Sequence, residues 1–309
     1  MRVNTLSSKR DVIDIKTIEH LRQYLPKEIY RTVEANQSIL TEIRIRREKP
    51  LSLTLARGIC GAYGYGENHV CPFIVHNEMM DQIITAVCHN SLYTHMSSMT
   101  EGYIAMKEGF RIGVAGKAVC EKGIITNLSS INSLNIRIPR FVYNISLEIY
   151  SLLAKTFFEK SILLFSPPNM GKTTILKDLI RQLSSGAPPR RVAVIDTRCE
   201  IETEPLKECC HVDFLSGYPR GKGIEIATRT LSPQYIVCDE IGAKEEAISL
   251  LAAQNAGVPV IASAHASSVE ELLLRENIKI LHERRLFSYY IGIRSLQFDS
   301  APNFTFTKG

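Results

Sequence analysis

The stretch Ser161 to Thr174, SILLFSPPNMGKTT, constrains the fold more than any other part of the chain. A largely apolar run, Ser161 to Phe165, enters a turn-forming loop, Ser166-Pro167-Pro168-Asn169-Met170. The loop empties into Gly171-Lys172-Thr173-Thr174 and a helical pattern, Ile175 to Ile180. Strand, loop and helix in that order make a phosphate-binding loop: backbone N–H groups at a helix N-terminus cradle phosphate oxygens, a lysine reaches the β/γ oxygens, and a hydroxyl binds Mg²⁺. Lys172 and Thr173 stand where the last two roles fall. The expected contact set is Ser166, Pro167, Pro168, Asn169, Met170, Gly171, Lys172, Thr173 and Thr174. Ser166 takes the place of the motif's first glycine, and because serine is small and turn-prone the loop is still expected to close. A chance Gly-Lys-Thr-Thr at a helix start is the competing reading.

At 309 residues the chain has room for two domains with sizeable cores. Apolar residues at 45% and charged residues at 22% fit a soluble globular protein and exclude disordered or fibrous classes. The longest weakly polar stretch, Ala247 to Ala266, is broken by Gln254-Asn255 and Pro259, so no membrane span is expected. The first residues, MRVNTLSSKRDVIDIK, carry no apolar signal-peptide core, which points to a cytoplasmic protein. The eight cysteines lack CxxC spacing, and Cys209-Cys210-His211 has no second ligand pair, so neither a zinc site nor a disulfide framework is expected. Residues 1 to 60 hold 12 Lys+Arg against 7 Asp+Glu, the whole of the net +5. Such a module faces nucleic acid, an acidic membrane surface or an acidic partner, or is a solvated face, and at this modest excess the solvated face is favoured.

Read in order, Ile15 to Gln37 has helical spacing with Pro26 opening a second segment, and Thr41 to Leu55 alternates as a hairpin. Gly58, Gly61, Gly64 and Gly66 mark a turn-rich connection, and Asn77 to Asn90 is a helix with Asn77 expected at its N-cap. Gly102 to Val119 is a glycine-punctuated strand pair, and Ile136 to Arg140 closes an α+β domain, 1–145. A helix from Ile145 to Glu159 leads into domain 146–309. There the strands Arg191 to Asp196, Tyr235 to Glu240 and Val258 to Ser263 alternate with helices, the signature of a parallel α/β sheet. Gly257 stops one helix, and Ser268 to Glu271 fits a capping box that starts another.

The strand Tyr235 to Glu240 decides the class. An apolar strand ending in Asp-Glu puts both carboxylates at the carboxyl edge of a parallel sheet, where ligands bind in open α/β folds. Asp239 would hold Mg²⁺ and Glu240 would polarise the attacking water, so loop and strand together read as a nucleoside-triphosphate hydrolase. At the tip of the next strand, His265 either senses the γ-phosphate or satisfies loop backbone groups. Glu200 positions Mg²⁺ or water, or pairs with Arg198. Phosphoryl transfer gains from a guanidinium at the γ-phosphate; Arg229 is one candidate, with Arg220, Arg111, Arg137 and Arg140 as others.

The runs SPPNMGKTTILKDLIRQLS, VIDTRCEIE and GIEIATRTLSPQYIVCDEIGAKEEAISLLAAQNAGVPVIASAHASS resemble the stage III sporulation protein AA family, P-loop ATPases related to type II and type IV secretion ATPases. EIRIRREKPLSL, SLYTHMSSMTEGYIAMKEGFRIGVAGKAV and NIRIPR agree as well, so the resemblance covers Thr41 to His265. It implies a RecA-like ATPase domain behind a smaller α+β domain, with ATP and Mg²⁺ at subunit boundaries of a homo-oligomeric, hexameric ring. It also implies a membrane protein as partner, on the cytoplasmic side of the channel by which a mother cell supports an endospore. The boxes of the related ATPases carry over onto Glu200 and His265. Thr197, where an acidic residue is common, and Ser166 depart from the pattern and bear on hydrolysis rate more than on nucleotide binding. Two other functions compete: a nucleic-acid translocase, against which the lack of an aromatic-rich basic stripe counts, and a nucleotide-bound scaffold with little turnover.

Overall fold

The computed structural model describes residues 15–37, 40–55, 67–88, 99–106, 110–138, 141–168, 170–295 and 302–309. Asn169, Arg140 and the glycines of the expected turn-rich connection (58, 61, 64 and 66) lie outside the described residues.

The N-terminal unit is built where sequence periodicity switches between helix and strand. Helices α1 (Ile15–His20) and α2 (Lys27–Ala35) precede strands β1 (Leu40–Arg46), β2 (Lys49–Leu55) and β3 (Glu67–Val75). Helix α3 (Asn77–Val87) and strands β4 (Tyr103–Ala105), β5 (Arg111–Glu121) and β6 (Ile124–Arg137) follow. The six strands pair in the order β3-β2-β1-β6-β5-β4, every pairing antiparallel. Ile43, Ile45, Leu51, Leu53, Ile112, Leu134 and Ile136 share one core with Ile18, Ile29, Val33, Met80, Ile83 and Val87 from the helices. Asn77 is not the N-cap of α3. His76 holds that place without a side-chain bond, and the Asn77 N–H donates to the Glu48 carboxylate at 3.0 Å, so a carboxylate remote in sequence replaces the local cap.

The C-terminal unit opens with α4 (Leu147–Lys155), shorter than its apolar pattern because Phe157 and Phe158 take positive φ values of 55° and 59°, which no helix continues through. Then come β7 (Ile162–Ser166), α5 (Lys172–Ser185), β8 (Val192–Asp196), α6 (Glu204–Lys207), β9 (Val212–Ser216), α7 (Arg220–Thr230) and β10 (Tyr235–Cys238). The chain ends with α8 (Lys244–Asn255), β11 (Val260–His265), α9 (Val269–Leu273), α10 (Glu276–Glu283), β12 (Tyr289–Ser295) and β13 (Asn303–Lys308). The sheet order is β13-β12-β7-β11-β10-β8-β9, parallel except for the β12–β13 pair.

Continuous apolar strands mean two covered faces. Ile162, Leu164, Val192, Val194, Tyr235 and Val237 pack against Ile149 and Leu153 of α4 and Leu176, Leu179, Ile180 and Leu183 of α5. The alternate residues Leu163, Phe165, Ala193, Ile195, Ile236 and Cys238 meet α7, α8, α9 and α10. The approach of α7 is close enough that a Cβ on Gly223 would stand 2.7 Å from Ile195 Cγ2, which is why glycine is used there. The strand order reverses around β7, and at such a switch point the carboxyl edge forms a crevice.

Candidate active site

Sheet register brings the expected residues together. Ser166 pairs with His265 across β7 and β11, and Cys238 pairs with Ala262 across β10 and β11. The residues that follow β7 and β10 therefore meet the end of β11 at one edge. Gly171, with φ 81°, is the N-cap of α5, a left-handed position that glycine occupies without strain. It aims the first N–H groups of α5 at the crevice, where no helical carbonyl meets them. Ser166 needs no such freedom: it ends a strand, is buried, has no positive φ, and directs its hydroxyl to the Pro167 carbonyl at 2.9 Å.

Lys172 is 5% exposed, and its ammonium reaches the Ser166 carbonyl (3.1 Å), Ser166 Oγ (3.2 Å), the Pro167 carbonyl (3.1 Å) and His265 Nδ1 (2.8 Å). Burial pulls its pKa down, against the pull of Asp239 and Glu240. An ammonium has three donors, so four neighbouring acceptors already share them. His265 Nε2 lies 2.7 Å from Glu240 Oε1, so the lysine-facing nitrogen accepts and the other donates, a tautomer fixed by the network. Burial raises the Glu240 carboxyl, but the His265 bond, Arg198 and Lys172 outweigh it and hold the group below the usual carboxylate range.

Thr173 Oγ1 donates to Asp239 Oδ2 at 2.9 Å, and Ser263 Oγ donates to Asp239 Oδ1 while accepting the Glu240 N–H at 3.0 Å. Glu240 itself has φ 47°. A non-glycine residue in the left-handed region at a site of converging charges is stored strain of about 1–2 kcal/mol. Beside it, Asp196 at the end of β8 accepts the N–H groups of Glu200 (2.9 Å), Ile201 (2.8 Å) and Glu202 (2.9 Å). Burial raises the Asp196 carboxyl while these N–H groups and Lys177 oppose it. The turn so fixed presents Arg198 and Glu200. Arg198 pairs with Glu240 at 2.6 Å and Glu200 pairs with Arg111 of β5 at 2.6 Å, so of the two readings of Glu200 the pair with Arg198 is not formed, and two pairs more distant in sequence take its place.

The other arginine candidates have ion-pair partners of their own. Arg229 lies in the last turn of α7, at the amino edge of the sheet and so away from Lys172, 74% exposed and paired with Glu225. Arg220 pairs with Glu246, and Arg137 lies 3.9 Å from Glu42 in the N-terminal sheet. Pro167 and Pro168 are exposed at the rim, Met170 and Thr174 half-buried.

The family described as "Sporulation stage III, protein AA" matches residues 9–301. The chain belongs to the stage III sporulation protein AA family. It is 32% identical over 262 residues to Stage III sporulation protein AA of Bacillus subtilis (strain 168), covering 82% of each chain. The fold resembles the Legionella pneumophila ATPase DotB (TM-score 0.60, 17% identity, 88% of this chain and 77% of that one). It also resembles the pilus retraction motor PilT with bound ADP (TM-score 0.63, 14% identity, 90% of this chain and 81% of that one). The fold is therefore RecA-like, preceded by a smaller α+β unit.

In this member of the family, sequence reading missed several residues at the edge. Ser263 was legible only as a strand tip, yet its hydroxyl ties Asp239 to the Glu240 backbone. Tyr103 carries the Arg111 guanidinium 4.1 Å from its ring centroid, and Lys177 is buried on α5, where burial pulls its pKa down against the charges of Asp196, Glu200 and Asp239. Phe165, Met170, Ile293 and Arg294 line a cleft beside the loop. Arg294 carried no signal, because nothing in the sequence placed β12 next to β7.

Proposed function

We propose that the chain binds ATP with Mg²⁺ at this edge, hydrolyses it, and acts as a secretion-type motor on the cytoplasmic side of a membrane channel complex, the mother cell to forespore channel of endospore formation. The observation that carries the reading is the continuous network Lys172–His265–Glu240 and Thr173–Asp239–Ser263 at the mouth of a phosphate loop. Among the described residues no helix is long and apolar enough to cross a membrane. A peripheral role at the membrane through a partner protein fits that.

The residues fit the ligands. The first N–H groups of a 14-residue helix, which no carbonyl of that helix meets, and a buried lysine suit phosphate. A hydroxyl and a carboxylate oxygen 2.9 Å apart suit Mg²⁺, a hard cation held by one or two protein oxygens besides phosphate and water. Among the described residues there is no group of three or more His, Cys, Asp or Glu side chains to make an all-protein cage. When bound, Mg²⁺ neutralises charge on the phosphoryl oxygens. Lys172 exchanges its loop carbonyls for phosphate oxygens, Asp239 is held in orientation by Ser263, and Glu240, kept ionised, orients the attacking water. His265 then reports the position of Lys172 to Glu240 through its two nitrogens. The subunits form a homo-oligomeric, hexameric ring, with 1–145 and 146–309 as its domains and an arginine such as Arg229 supplied in trans.

Equilibrium titration with a fluorescent ATP analogue tests the site. Lys172→Ala is expected to abolish binding and Glu240→Gln to bind at least as tightly as wild type. Equal affinity in wild type and Lys172→Ala would overturn the assignment.

A further inference from the structure

The segment Phe141 to Ser146 joins the two units, and its anchor is a carboxylate on the phosphate-loop helix. Ile138 still belongs to the apolar core of the N-terminal unit, whereas Phe141, Val142 and Ile145 pack in the cluster that holds Leu176, Leu179 and Ile180 of α5. Asp178, on α5 and completely buried, accepts the Asn144 N–H (3.0 Å), the Ser146 N–H (2.8 Å), the Ser146 hydroxyl (2.6 Å) and the Arg181 guanidinium (2.9 Å). Asn144 stands at φ 62°, and its side-chain oxygen accepts from Arg181 (3.2 Å) and Gln182 (3.0 Å), both also on α5. Ser146 sits at the N-cap of α4 but makes no cap bond, because its hydroxyl is given to Asp178. The turn is moulded on α5 at the expense of the helix it opens.

We propose that Asp178 is the joint through which nucleotide at the start of α5 moves the N-terminal unit. The proposal rests on the nucleotide reading above. Its reasoning is mechanical. Lys172 and Thr173 begin a single rigid helix, and Asp178 lies further along it. A buried polar network with every member satisfied moves as one piece, not by breaking bonds in turn. A displacement of α5 at its phosphate end is therefore carried into Asn144 to Ser146, from which the N-terminal unit is suspended. The units also touch at Arg111 and Glu200, but those side chains are about a third exposed and their pairing yields easily. One contact is a joint and the other a releasable latch, which is what a two-state hinge requires. Because coupling is reciprocal, loosening the joint separates nucleotide binding from its mechanical consequence.

The test uses the full chain, with hydrogen exchange followed by mass spectrometry in the absence and presence of Mg²⁺ and a non-hydrolysable ATP analogue. Affinity and steady-state turnover are measured in parallel. In wild type, saturation is expected to change exchange in the paired strands β5 and β6. Asp178→Asn and Ser146→Ala are expected to keep affinity and KM within about threefold, to lose most of that exchange response, and to lower kcat about tenfold, a split that a merely stabilising role would not produce. Should Asp178→Asn fail to fold, Ser146→Ala carries the test, since it removes only a hydroxyl. A response in both variants equal to that of wild type would overturn the proposal alone. A wild type that binds no nucleotide would overturn the underlying reading and the proposal with it.

Discussion

Under the proposed function, Lys172 is a buried charge kept for binding and not for stability. Its charge is buried and its pKa depressed, so the ammonium is less comfortable there than in water until an anion arrives. Lys172→Met is expected to leave stability within about 1 kcal/mol, since a buried charge replaced by an apolar chain of similar length is close to neutral. The Ser166 carbonyl would still accept the Ala266 N–H at 3.2 Å. Wild type should gain about 2.7 kcal/mol at a hundredfold excess of nucleotide over Kd, and the variant nothing; differential scanning calorimetry reads both. Glu240 works with the opposite sign. Its folded pKa is depressed, so the stability it supplies is complete above the unfolded value of 4.5 and is lost as pH falls through the folded one. Melting temperature against pH should therefore fall less steeply on the acid side of 4.5 in Glu240→Gln than in wild type; identical acid limbs would contradict the pairing with His265 and Arg198.

At the scale of elements, the start of α5 is the part whose geometry is least negotiable. Gly171→Ala places a Cβ at φ 81° and is expected to cost about 1–2 kcal/mol while weakening nucleotide binding, measured by urea unfolding and by titration. Elements of this kind were legible in the sequence. β7, β10 and β11 carry apolar runs of strand length, α5 carries helical spacing behind a glycine at the required turn, and the chemistry sits at the strand ends, all signals within a few residues of one another. The capping of α9 was legible for the same reason: Ser268 Oγ accepts the Glu271 N–H at 3.3 Å. What escaped reading lacks local signal. Val212–Ser216 is a short edge strand with Asp213 between its apolar residues, and β12 and β13 announce themselves only by pairing with β7 and each other. The Asn77 cap failed because its side-chain oxygen accepts from Arg47 at 3.3 Å and Glu48, 29 residues earlier, accepts its N–H, which stands at the first helical position. Arg111 and Glu200 are 89 residues apart, and only the docking of two units makes them neighbours.

At the scale of the molecule, the account requires two units that hold together yet move. The Arg111–Glu200 pair bridges them with partly exposed side chains, and a double-mutant cycle of Arg111→Ala and Glu200→Ala on unfolding stability is expected to give a coupling of about 0.2–1 kcal/mol. A coupling above about 3 kcal/mol would mark a permanent weld, not a latch. The measurement that bears most directly on the whole is Mg²⁺-dependent ATP turnover per subunit of the purified chain as its concentration is raised, with Glu240→Gln as control and DNA added in turn. Turnover that rises with concentration, vanishes in Glu240→Gln and ignores DNA is the predicted result. Turnover that persists undiminished in Glu240→Gln, or that depends on DNA, would contradict a secretion-type motor built on this edge.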